Sequence, residues 1–179
     1  MDDSTGEITD TIFSDLHDRR FIRLQTTLRR QDQIAVQVFD FGNINPSSYS
    51  DDYHNLTCAS VVFNTSGSSI GTVKYEGWEA PVPIESYLRR PLMSFSSSRT
   101  FVMSDGQEYK WTSDTKLGHN WTCLTPQRYV AAFYDVRQEH APQYPGSSGN
   151  VLSVTRTASH LFIELVTTLM IMRYIQARS

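Results

Sequence analysis

His160 and Glu164 stand four residues apart in "HLFIELVTTLMIMRYI", so a helix would carry both on one face. An imidazole beside a carboxylate can transfer protons. Tyr109 and Asp135 are the other side chains suited to act as acid or base. The pair also has a plainer use: glutamate is favoured at a helix start by the dipole, and histidine is tolerated there. A glutamate inside a buried helix is costly unless paired, so Glu164 needs a partner such as an arginine or a backbone amide. Seven aromatic residues could line an apolar cavity or fill a core. Tyr75, Trp78, Trp111, Trp121, Phe133 and Tyr134 are the expected ligand contacts, and Tyr109 belongs to the same set.

Other chemistries find no support in residue types or spacing. His54, His119 and His140 fall in separate loops without metal-ligand spacing, so no metal is expected. Cys58 and Cys123 each sit in an apolar, strand-like run and read as small buried hydrophobes. Two cysteines make neither a disulfide framework nor a four-cysteine zinc site. Cys123 as a nucleophile would need a base that the sequence does not show. No Ser-His-Asp context, glycine-rich phosphate loop or paired-carboxylate motif stands out, and no cofactor is expected. The 179 residues carry a net charge of -3, against the basic stripe that nucleic acid requires. "MDDSTGEITD" is polar and acidic and does not read as a targeting segment. Sequons at Asn55, Asn64 and Asn120 then read as chance matches, and the expectation is a cytoplasmic protein.

These residues must be positioned by short strands. "TDTIF" (9–13), "FIRLQT" (21–26), "QIAVQVF" (33–39), "CASVVF" (58–63) and "IGTVKYEG" (70–77) are separated by turn signals. Pro81 and Pro83 forbid a central strand, and one helical turn is expected over Ile84–Leu88, with Pro83 at its start. "NWTCLT" (120–125), "RYVAAFYDV" (128–136) and "VLSVTR" (151–156) complete the strand set. Two long polar loops, 40–56 and 138–150, are places where a member of a family could acquire its own function.

The last segment has no glycine or proline. Between Leu161 and Ile175, 11 of 15 residues are apolar and they cover every face. A helix apolar all round is buried or crosses a membrane. This one is shorter than the roughly 20 residues of a span and contains Glu164 and Arg173, so a helix surrounded by protein is expected. A mainly β, α+β domain with its sheet closed round that helix would bury it on all sides and remove edge strands. The small pair Ala131-Ala132 fits a close approach there.

"FVMSDGQEYKW" (101–111) allows two hairpin registers. A two-residue loop splits the large apolar groups between faces. A three-residue loop, Ser104-Asp105-Gly106, pairs Met103 with Gln107, Phe101 with Tyr109 and Arg99 with Trp111. Phe101, Met103, Tyr109 and Trp111 then share one face, and Thr100, Val102, Glu108 and Lys110 the other. Register follows the buried face, so the second is expected, with a type I turn closed by Gly106 in the left-handed region.

"SRTFVMSDGQEYKW", "IESYL", "RYVAAF" and "HLFIELVTTLMIMRYI" together resemble an uncharacterised domain family of basidiomycete fungi. That family in turn resembles the tubby C-terminal-like superfamily, which includes LURP-one-related proteins and phospholipid scramblases. The likeness covers roughly residues 8–177, leaving 1–7 as a flexible N-terminus and 8–179 as a single domain. It implies a closed antiparallel β-barrel of about twelve strands threaded by the hydrophobic C-terminal helix. It implies no reaction. Tubby-type members bind phosphoinositides through basic side chains; that pattern is not matched here residue by residue, and Arg19-Arg20 and Arg89-Arg90 read as solvated turns. Three functions are carried forward. The first is a non-catalytic binding or scaffold domain for a hydrophobic small molecule, lipid or protein. The second is a cofactor-free cyclase, isomerase or lyase of fungal secondary metabolism. The third is phosphoinositide-dependent, peripheral membrane attachment.

Overall fold

The structure, a computed structural model, describes residues 1–15, 20–42, 57–91, 98–113, 120–137 and 147–178. The loops expected at 40–56 and 138–150 lie largely outside these residues, as do His54, His119 and His140. Twelve strands form in chain order. They are β1 (Asp2–Asp3), β2 (Thr11–Ser14), β3 (Phe21–Arg29), β4 (Gln33–Gly42), β5 (Thr57–Asn64), β6 (Gly71–Tyr75), β7 (Val82–Pro83), β8 (Arg99–Val102), β9 (Glu108–Thr112), β10 (Trp121–Leu124), β11 (Val130–Asp135) and β12 (Asn150–Val154). Between β7 and β8 lies the single turn α1 (Ile84–Tyr87). After β12 a 3-10 turn, Arg156–Leu161, leads into α2 (Phe162–Ala177).

All twelve strands belong to one antiparallel sheet in the order β7-β6-β5-β4-β3-β2-β1-β12-β11-β10-β9-β8. Consecutive strands pair, and the two halves of the chain join through β1 and β12, where Asp2 faces Val151 and Asp3 faces Asn150. Residues 1–7, expected to be a flexible terminus, thus supply a strand at the middle of the sheet, and Asp3 is fully buried.

The closed barrel expected from the sequence does not form. The sheet ends at β7 on one side and β8 on the other, and no ladder joins these two strands. β7 is two residues long, and Pro81 and Pro83 leave Val82 as its one main-chain donor, too few for ladders on both sides. α1 fills the gap instead, with Ile84 and Leu88 fully buried. Among the described residues, the chain meets the far edge through the Tyr87 ring, 6.0 Å from that of Phe101, and through Arg89, which exchanges two main-chain hydrogen bonds with Thr100, 2.8 and 2.9 Å. The architecture is therefore mainly β: an open sheet curled round a helix.

α2 is buried on all faces, as an all-round apolar helix requires. By length and composition the segment Arg156–Ala177 could also cross a membrane. Its partners here come from well-separated strands. Phe63 of β5 stacks on Tyr174 with centroids 3.9 Å apart, and Trp111 of β9 donates its indole N–H to Thr168 Oγ1 at 2.8 Å. Thr167 and Thr168, fully buried, donate back to the carbonyls of Ile163 and Glu164, each at 2.7 Å. Neither of these two hydroxyls is thereby stranded in the apolar interior, where it would be costly.

The hairpin at 101–111 takes the three-residue register. Arg99 pairs with Trp111 and Phe101 with Tyr109, and Gly106 has φ 76°. Phe101, Met103, Tyr109 and Trp111 are buried, while Val102 is exposed. In β11 both Ala131 and Ala132 face inward, because the pairing with β10 skips Ala131 at a bulge. Gly71 marks another close approach: a Cβ there would lie 1.8 Å from the Val62 carbonyl oxygen.

Candidate functional site

β6 alternates inward and outward residues and ends with Tyr75 facing in. The chain then turns back, Trp78 donating its main-chain N–H to the Tyr75 carbonyl at 3.1 Å. α1 brings Tyr87 beside both. The three rings meet edge-to-face: Tyr75–Trp78 at 5.0 Å, Trp78–Tyr87 at 5.6 Å and Tyr75–Tyr87 at 5.8 Å. Such pairs add to plain area burial, so the cluster is a firm wall. Burial holds the Tyr75 and Tyr87 phenols well above their ordinary pKa, so both stay neutral.

Facing this wall are the end of edge strand β8 and the first turn of α2. Between them lies a cavity of about 340 Å³, at the lower end of the range for small-molecule sites. Tyr75, Trp78, Val102, Met103 and Ile163 form its apolar lining. Its polar lining is Cys58, Glu76, Ser104 and Glu164. The cavity sits beside the gap between the two ends of the ladder, so it owes its existence to the open sheet.

Glu164 is held at the cavity by the hairpin turn. Oε1 accepts the Ser104 main-chain N–H at 2.7 Å and Oε2 accepts the Ser104 hydroxyl at 2.9 Å. The partner of this half-buried acid is thus a backbone amide joined by a hydroxyl. Burial nevertheless raises its pKa, and Asp105 adds to the rise; the Ser104 bonds and His160 oppose it. The thiol of Cys58, also partly buried, is pushed up by desolvation and stays protonated.

The other residues singled out in the sequence are dispersed. His160 is exposed in the 3-10 turn. Tyr109 is buried within the hairpin, its hydroxyl donating to Asp105 Oδ2 at 2.8 Å while Asp105 Oδ1 accepts the Gln107 N–H at 3.0 Å. Burial, then that bond, raises the phenol's pKa. Asp135 and Phe133 are half-buried on the side of β11 away from Tyr134. Trp111 is core. The four acid–base candidates therefore do not converge; of the aromatic set, Tyr75 and Trp78 share the cavity with Glu164.

Trp121 and Tyr134 line a second cavity, about 290 Å³, near the other end of α2, together with Arg173. Here Arg173 and the Tyr134 hydroxyl are already engaged. Fully buried Asp3 accepts hydrogen bonds from Thr11 Oγ1 at 2.5 Å, the Gly6 N–H at 2.9 Å and the Tyr134 hydroxyl at 2.9 Å. Arg173 pairs with Asp3 at 3.4 Å, donates to the Gly6 carbonyl at 2.8 Å and lies over the Tyr134 ring at 4.8 Å. Asp3, Arg173 and Ser104 were missed as a functional set. The available signal was an arginine in an apolar helix, which demands an acid somewhere.

Among the described residues no group of His, Cys, Asp and Glu could hold a metal ion. No curated protein and no solved structure matches the chain. A family model does match, over residues 7–176, a span that includes every residue lining the cavity beside Glu164. The chain belongs to DUF6593, a family of unknown function.

Proposed function

We propose that the protein is an intracellular, non-catalytic binding domain for a hydrophobic small molecule or lipid, held in the cavity between Tyr75, Trp78 and the start of α2. The observation that carries this reading is the lining itself: aromatic and aliphatic side chains with a few fixed polar groups, the composition of a ligand site. The reading includes kinship with tubby C-terminal-like domains of fungi, supported by a hydrophobic helix enclosed in a twelve-stranded sheet. A headgroup rich in phosphate is not favoured at this cavity, whose described lining contains two carboxylates and no lysine or arginine.

One observation favours the enzyme reading: Glu164, an acid beside a cavity, has a raised pKa, as tuned acids do. Against it, both carboxylate oxygens are bound by Ser104, and His160, Tyr109 and Asp135 do not line the cavity.

The test is native mass spectrometry of the purified protein, followed by titration of the recovered compound. A bound hydrophobic molecule whose affinity falls about tenfold in Trp78→Ala is expected, given the contact area an aromatic supplies. Unchanged affinity in that variant would remove the site. Turnover of the compound, lost in Glu164→Gln, would replace binding by catalysis.

A further inference from the structure

The charge distribution of the cavity narrows the ligand class; the inference rests on the binding reading above. Among the described residues, Glu164 and Glu76 are the two charged residues of its lining. Ser104 anchors the Glu164 carboxylate through both oxygens, so it cannot swing away, while each oxygen keeps a second acceptor position. Beside it, Tyr75 and Trp78 supply ring surface whose quadrupole attracts cations and repels anions. Among the described residues, Arg20, Lys74 and His160 lie in the neighbourhood without lining the cavity, and His160 acts on the Glu164 carboxyl from the exposed 3-10 turn. Arg20, over the Phe162 ring at 5.5 Å, is paired with Asp40 at 2.6 Å. Lys74 lines an adjoining groove of about 130 Å³ that shares Cys58, Tyr75 and Glu76. Carboxylates and aromatic rings thus act in the same direction on any charged guest.

We propose that the cavity binds an organic cation: an amine or quaternary ammonium with a hydrophobic body, its head between Glu164 and the Tyr75–Trp78 rings and its body along Val102, Met103 and Ile163. A quaternary head would use the rings and the carboxylate charge. A primary amine would also donate hydrogen bonds to the open acceptor positions of Glu164. Removing such a head from water is offset only where a fixed counter-charge and π-surface are already in place, and both are pre-built here.

The probes are octyltrimethylammonium, octanol and octanoate, titrated below their micellar concentrations at mildly alkaline pH and followed by calorimetry and tryptophan fluorescence. The cation is expected to bind at least about tenfold more tightly than octanol, with octanoate the weakest. Glu164→Gln, which preserves the shape of the Ser104 contact, should bring the cation to within about threefold of octanol and leave octanol unchanged. Glu76→Gln, at the exposed rim, should reduce the preference less and guards against a folding defect in the first variant. Octanol binding as well as the cation, or octanoate binding better, overturns the cation proposal and leaves the binding reading standing. A preference that survives both substitutions overturns the placement of the head. Binding of none of the three overturns both readings.

Discussion

The two ends of α2 each carry a charge, and each charge has the sign that the helix dipole favours: Glu164 in the first turn and Arg173 near the last. They are held very differently. Arg173 meets a fully buried aspartate, a main-chain carbonyl and an aromatic face, and that aspartate has further donors of its own. Glu164 is half-buried and takes both of its hydrogen bonds from Ser104, with a cavity alongside. A charge whose partners are all local and internal ties the chain together. A charge with acceptor capacity to spare beside open volume can receive something else. The Arg173 end fastens the N-terminal strand to the helix, and the Glu164 end is the one available to a ligand.

The contrast breaks most readily at the tie. Asp3→Ala removes the counter-charge of Arg173 and the acceptor of Thr11, Gly6 and Tyr134 at a buried site, and should cost about 3–5 kcal/mol. Denaturant unfolding measures this. A loss below about 1 kcal/mol would mean that the Arg173 end is not a structural tie.

A smaller effect is expected from the turn that delivers Ser104. Gly106 has φ 76° and open space round its missing Cβ, so Gly106→Ala meets a conformational penalty and no clash. The cost should be about 1 kcal/mol, seen as a lowered Tm. An unchanged Tm would show that the left-handed turn does not hold the Glu164 end.

The smallest effect concerns pH. Burial raises the folded-state pKa of Glu164, so the protonated form is favoured by folding. Its contribution is fully present below the ordinary carboxylate range and is lost as pH rises through the raised value. Relative to Glu164→Gln, the parent protein should therefore gain stability on acidification across that window. Asp105 and His160, which face this carboxyl, enlarge and reduce the effect respectively. A difference that stays flat with pH would show that the carboxyl is effectively solvated.

How far the residues alone disclosed this arrangement varies with distance along the chain. The hairpin at 101–111 was legible to the register because its information is local: alternation gathers Phe101, Met103, Tyr109 and Trp111, and a turn of this length needs Gly106. The buried helix was legible because its apolar groups leave no face for water. Closure of the sheet was read wrongly. Pro81 and Pro83 were recognised as barring a central strand, but the consequence is an edge that cannot meet β8, and that depends on where the two edges arrive in space. Asp3 looked like part of a polar tail because its partner lies 170 positions away at Arg173.

Within the aromatic set, residue type could not separate core from site. Trp111 and Trp78 are the same side chain; one is packed mid-strand against α2, and the other sits just past a strand end beside a gap. By itself the sequence determined every strand but β1 and β7, which face of the hairpin is buried and that the last helix is enclosed, since periodicity and the cost of exposed apolar surface act locally. Tertiary structure alone decided that the sheet stays open, that Asp3 neutralises Arg173 and that Glu164 meets Tyr75 and Trp78 at one cavity, because each depends on groups brought together by the curl of twelve paired strands.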